Sequence, residues 1–348
     1  MIGLLFSGKL PDPIKGIELL RNRHINQDKI IMKSRRTLLK QSLAAGLPLV
    51  FAPTSNLFAQ ERKRKFTIDL TPGAVGIKAD PREMIGIAHQ HGFESLQPNS
   101  GFLASLDDGQ RKEFTAELSE KNLKWGAAGL SVDFRDTEEK FREGLAELPK
   151  HAAALKAAGA TRAGTWIKPF HESLHYLANF RQHVSRLREI TKIYNDHGIR
   201  FGLEYVGTKD LWTKTNHSFV HTMAETKELI AEVDQPNLGF VLDSWHWYTA
   251  GETADDIRTL TNDDVVVCDL NDAPKGIPVE EQLDNQRELP AATGVIDIKS
   301  FLEALADIGF DGPVRAEPFN KPLNELENDP AAKATADAIR KAIEVAGL

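Results

Sequence analysis

From residue 66 onward, short β-branched and apolar runs alternate with longer stretches of helical period. The apolar runs predict strands at 66–70, 93–98, 123–130, 161–167, 199–206, 238–243, 264–270 and 312–318. Between and after them, the periodicity and the terminal signals predict helices at 81–92, 107–121, 137–159, 173–197, 218–233, 253–260, 297–308 and 331–346. The first of these begins at Pro81 and stops at Gly92, placing each residue at the helix end it suits. Eight strand-then-helix units predict an α/β protein, a single-domain (β/α)₈ barrel over residues 66–348. The doubly wound open sheet is disfavoured, because TPGAVGIKAD after the first strand lacks the glycine spacing of a phosphate-binding turn.

The segment before residue 66 has a different pattern. Ser34, Arg35, Arg36, Thr37, Leu38, Leu39 and Lys40 precede an uncharged, moderately apolar stretch to Ala59. This resembles a twin-arginine export signal over 32–59, with residues 1–31 an upstream extension ahead of the true start at Met32. The expected location is therefore periplasmic. Pro48 and Pro53 interrupt the apolar stretch, so stable membrane insertion is not expected.

Charge sharpens the division. The whole 348-residue chain carries a net −7, yet its first 59 residues hold nine Lys or Arg against three Asp or Glu, which leaves the remainder more acidic still. Such a body is a poor partner for nucleic acid, whose phosphates need basic residues. The single cysteine, Cys268, excludes an intramolecular disulfide.

Four consecutive predicted strands end in acidic residues: Glu204, Asp243, Asp269 and Glu317. In a barrel these ends are neighbours on the face where catalytic residues converge. A lone ionised carboxylate in an apolar run is costly to bury, and one divalent cation would compensate all four. Oxygen-rich coordination favours Mn²⁺, with Mg²⁺ or Co²⁺ as alternatives. Trp166 and Lys168 close the fourth strand, where an aromatic ring can stack on a sugar and an ammonium can bond its hydroxyls. Arg287, in the long loop after the seventh strand, offers several donors that could clamp sugar hydroxyls.

The segments FGLEYV, FVLDSWHW, VVVCDLNDAP and VRAEPFN together resemble the xylose-isomerase-like TIM-barrel superfamily of sugar isomerases and epimerases. The resemblance covers nearly all of residues 66–348. It implies metal ligation by Glu204, Asp243, Glu317 and the residue at 269, with Glu204 and Glu317 doubling as acid and base. Asp269 stands where the superfamily usually has His, and Asp272 matches the closing Asp of that motif. His246 is implied as a substrate contact, as is Arg287. The implied activity is proton abstraction beside the carbonyl of a sugar or keto-sugar, leading to isomerisation or epimerisation. The loop after strand seven is most similar to the branch of sugar epimerases and enzymes that process 3-keto-glycosides, including C-glycoside deglycosylases, so elimination is the alternative. Two rivals remain: a phosphodiesterase of the endonuclease IV type and a non-catalytic sugar-binding barrel.

Overall fold

The computed structural model describes residues 63–348; the proposed extension over 1–31 and the export signal over 32–59 lie outside the described residues. Nine strands form one sheet in which every pairing is parallel. They are β1 (Thr67–Leu70), β2 (Ser95–Leu96), β3 (Lys124–Trp125), β4 (Ala128–Gly129), β5 (Arg162–Trp166), β6 (Arg200–Glu204), β7 (Leu238–Asp243), β8 (Val265–Leu270) and β9 (Pro313–Ala316). The order is β3-β2-β1-β9-β8-β7-β6-β5-β4. Its two ends, β3 and β4, are separated in the chain only by Gly126 and Ala127, so they are halves of the one strand expected at 123–130. The fold is the TIM-barrel type.

Helices with sequence-encoded ends join these strands: α1 (Pro81–Gln90), α2 (Asp108–Glu120), α3 (Glu138–Ala158), α4 (Tyr176–Asp196), α5 (Met223–Val233), α6 (Ser244–Thr249), α7 (Ile298–Asp307) and α8 (Asn328–Val345). Asp80 caps α1 by accepting from the Arg82 and Glu83 amides, while Glu83 reaches back to the Asp80 amide. Thr137 starts α3, and Gly159 ends it in the left-handed conformation. Two local expectations need correction. Thr222 caps α5, so that helix begins at Met223 rather than at 218. The stretch after Asp243, to which the sequence pattern assigns no element, is helical: Asp243 turns from strand directly into α6 by accepting from the Trp245 amide at 2.7 Å. Among the described residues, no helix is long and apolar enough to cross a membrane.

Strand alternation creates two layers on the inner face. The lower layer is small and apolar. A Cβ on Gly164 or Gly202 would lie 2.8 or 2.9 Å from Val241 Cγ2, and Val241 clusters with Ala127, Val266 and Val267 apart from the main core. Two residues further along the same strands come Trp166, Glu204, Asp243 and Asp269, which makes the upper layer charged. Asp269 pairs in register with Asp243 on one side and Arg315 on the other. Continuing the Ile68–Val314 register by one residue sets Asp69 across from Arg315.

Asp69 also explains the broken strand. A Cβ on Gly126 would fall 2.1 Å from Asp69 Oδ1, so the buried carboxylate takes the space a side chain would fill. Gly126→Ala is expected to destabilise the protein by about 1–3 kcal/mol through overpacking, read as a lower midpoint in urea denaturation. An unchanged midpoint would show that Asp69 moves aside freely.

Candidate active site

Each acidic strand end has distinct partners. Asp243 is fully buried: Oδ1 accepts from the Trp245 amide and from Asn271 Nδ2 at 2.8 Å, and Oδ2 accepts from Arg287 Nη1 at 2.8 Å. Asn271 is itself fixed, because its amide donates to Ser244 Oγ at 2.8 Å. Asp269 is fully buried and receives Arg315 in a two-pronged pair, Nε to Oδ1 and Nη2 to Oδ2. Glu204 is buried, and its Oε1 has no hydrogen-bond partner. Glu317, with 21% of its side chain exposed, holds Oε2 3.6 Å from Arg287 Nη1.

Arg287 is a buried member of this cluster, not a solvated loop residue. Besides Asp243 it bonds Asp284 Oδ1 at 3.0 Å through Nη2, and its guanidinium lies between the rings of Trp245 (5.4 Å) and Phe319 (4.5 Å). The loop carrying it is built around Asp272. That buried carboxylate accepts from the amides of Ala273, Thr293, Gly294, Val295 and Ile296, stapling both ends of the segment together. A chain from Trp245 Nε1 to Thr208 Oγ1 (2.8 Å) and on to Asp284 Oδ1 (3.1 Å) then locks the loop against the barrel rim.

Burial sets the protonation pattern. It raises Glu204 well above the usual carboxylate range, with the neighbouring charges of Glu317, Asp243 and Asp269 adding to the effect. Burial likewise lifts Glu317 to about 8 and Asp243 to about 7, with Arg287 opposing it in both cases. His246 is driven down to about 3 by burial and then by the Arg287 charge, so it is neutral. The Gly207 amide donates to its Nδ1 at 3.3 Å, and Nε2 lies 3.8 Å from Asp243 Oδ2.

The arrangement fits a divalent cation. Ligand atoms of Glu204, Asp243 and His246 lie within 4.8 Å of one another, as do those of Glu204, Asp269 and Glu317. The two sets share Glu204, whose buried Oε1 has no hydrogen-bond partner and would be satisfied by a cation.

Trp166 and Lys168 sit to one side. Trp166 pairs in register with Glu204 but is 43% exposed, with the Arg135 guanidinium 4.4 Å over its ring. Lys168 is tied to Glu172 at 2.8 Å. Both line a polar cleft of about 760 Å³ together with Arg135, His171 and Arg186, and none of the four strand-end carboxylates lines it. Asp69, Arg315, Asn271 and Asp284 are members of the site that sequence reading missed. Arg315 is in register with Asp269, and Asp69 lies across from Arg315, placements that only the strand pairing shows.

The profile of a family described as "Xylose isomerase-like TIM barrel" matches residues 85–342. An inosose isomerase of Bacillus subtilis (strain 168) is 27% identical over 162 residues, which cover 45% of this chain and 55% of that protein. The alignment thus spans about half the length of that relative. A 3-dehydroshikimate dehydratase of Pseudomonas putida is 27% identical over 158 residues, covering 45% of this chain and 23% of that protein. Among solved structures, a xylose isomerase domain protein from Alicyclobacillus acidocaldarius superposes with a TM-score of 0.72 at 27% identity, covering 81% of this chain and 99% of that one. The IolI protein with a bound zinc atom gives 0.66 at 19% identity, with coverages of 81% and 98%. A D-psicose 3-epimerase from Clostridium cellulolyticum H10, solved with D-tagatose, gives 0.60 at 18%, with coverages of 77% and 94%. The last two likenesses are of fold.

The raised carboxyls make stability depend on pH and metal together. Their folded-state values lie above the unfolded value of about 4, so the folded protein holds protons that the unfolded chain releases, and stability falls as pH rises through that interval. Metal-free protein is therefore expected to melt at a lower temperature at about pH 8 than at about pH 5, and Mn²⁺ to raise the melting temperature more at the higher pH. An equal Mn²⁺ shift at both would contradict this.

Proposed function

The chain belongs to the xylose isomerase-like TIM-barrel family, and on that premise we propose a metal-dependent enzyme of the sugar isomerase or epimerase type, abstracting a proton beside a carbonyl. The observation that carries this reading is the pair of strand-end carboxyls, Glu204 and Glu317, both raised by desolvation, Glu317 to about 8, and both within reach of one cation position. A group with a value near the working pH can take a proton and return it.

The donors that would hold the cation are Glu204, Asp243 and Glu317, with Asp269 and His246 close by. When bound, the ion would polarise the carbonyl and offset charge developing on the substrate oxygens. Mn²⁺ suits so oxygen-rich a set, while the zinc in the IolI structure supports a divalent ion in this fold without fixing which. Glu204 or Glu317 removes the proton and the other supplies it back. His246, neutral at working pH, orients a substrate oxygen without adding charge. Arg287 donates to oxygens at the mouth and balances Asp243. Trp166 and Lys168 line the lateral cleft instead, apart from the four carboxylates, so no contact with the reacting part of the substrate is assigned to them.

The named relatives act on an inosose and 3-dehydroshikimate, and the structural neighbour is a D-psicose epimerase; all three compounds are polyhydroxylated ketones. Their shared demand is proton removal beside the ketone, which supports a keto-sugar substrate. The dehydratase also favours a second reading, elimination of a β-substituent after the same first step, as a 3-keto-glycoside lyase would perform. The two ligand sets share Glu204, which supports a centre built around that one carboxylate.

Glu317→Gln is expected to lower the rate of solvent deuterium incorporation into inosose or D-psicose by about 10²-fold or more while the protein still melts cooperatively. Incorporation at the parent rate would overturn the acid/base role. We also propose twin-arginine export to the periplasm from residues 32–59. Arg35→Lys with Arg36→Lys should leave the full-length protein in the cytoplasmic fraction, and continued periplasmic recovery would contradict it.

A further inference from the structure

Asp269 lies close enough to Glu204 and Glu317 to share a cation with them, so proximity alone would enlist it. Its surroundings argue otherwise. Arg315 stands directly across from it on the neighbouring strand, and the guanidinium fork covers both carboxylate oxygens, with Nη2 to Oδ2 at 2.9 Å. Asp269 is wholly buried and Arg315 retains only 12% of its side-chain exposure, so the pair is desolvated. Removing either partner alone would strand a buried charge.

Asp243 is also held by an arginine, but on different terms. Arg287 reaches it with one nitrogen, from a loop, and keeps Asp284 as a second carboxylate to retain if an incoming cation displaced it. Arg315 reaches Asp269 with two nitrogens, and from a strand. Its backbone is fixed between β8 and β1, where Asp269 and Asp69 flank it on the two sides. Asp69, buried with Oδ1 unpartnered, would gain from Arg315 turning away from Asp269, yet the fork stays on Asp269.

We propose that Asp269 and Arg315 form a self-contained ion pair that withholds Asp269 from the metal. The ion would then draw on Glu204, Asp243 and Glu317 as donors, and the coordination position that Asp269 would have taken would be left to other oxygen ligands. An open position of this kind separates a catalytic metal site from a closed structural one. The inference rests on the metal-dependent reading of the site. Within that reading it reassigns Asp269 as a positioning residue: its carboxylate holds the Arg315 charge at a fixed place beside the ion.

The test removes the pair without leaving a net charge. The double variant Asp269→Asn with Arg315→Met replaces a buried ion pair by neutral groups of similar volume, a change proteins often tolerate. Mn²⁺ binding to the metal-stripped full chain is measured by titration calorimetry, with a thermal melt to verify folding. The dissociation constant is expected to rise by less than about 100-fold, the most that loss of an outer-shell partner usually costs, whereas loss of a true ligand should exceed that. Weakening of that size in a folded double variant overturns the proposal. Should the variant not fold, crystals of the parent soaked in Zn²⁺ decide the matter. Both Asp269 oxygens beyond about 3 Å from the ion support the proposal, and one at about 2.0–2.2 Å overturns it. A parent that binds no Mn²⁺ would overturn the metal-dependent reading and this inference with it, whereas a parent that binds and a folded variant that does not would overturn this inference alone.

Discussion

Burial of negative charge in one layer of the barrel is the constraint on which the site depends. Glu204, Asp243 and Asp269 are buried at neighbouring strand ends, with Glu317 at the next, and desolvation favours the neutral forms of Glu204, Asp243 and Glu317 unless positive charge is supplied. Two arginines supply part of it, Arg287 from a loop and Arg315 from a strand. What they leave uncompensated centres on Glu204, whose Oε1 meets no donor. A divalent cation would meet this residual demand.

The scaffold meets that demand through simple periodicities. Small residues at Gly164 and Gly202 let Val241 fill the barrel beneath, and the next inward position on each strand carries the functional group. Asp243 serves twice, as a strand-end carboxylate and as the cap that begins α6, and this tight turn brings His246 back over the strand end. Asp272 is the counterpart on the loop side. By gathering five amides it gives a long, polar connection one fixed path, and Arg287 arrives buried instead of solvated.

Much of this was legible in the sequence because strand-end carboxylates interrupt apolar runs, and four such interruptions in succession form a pattern. The eight-unit alternation and the positions of Glu204, Asp243, Asp269 and Glu317 could be read from that pattern. Pairing partners could not. Arg315 in VRAEP reads as an ordinary polar position until β8 and β9 are set in register, and Asp69 in TIDL looks like the outer face of an amphipathic strand. The break at Gly126 was hidden because its cause, the Asp69 carboxylate, lies 57 positions earlier in the chain and two strands away. Trp166 and Lys168 were placed on the right strand end, but their opening onto a lateral cleft depends on the Arg135 loop, which strand periodicity does not fix.

The central claim is that one divalent cation completes this layer, held through Glu204. Titration calorimetry of the metal-stripped chain with Mn²⁺ tests it most directly, comparing the parent with Glu204→Gln. The account predicts one ion per chain for the parent and binding weakened by more than about 100-fold in the variant. Equal binding by both proteins, or none by the parent, would contradict it.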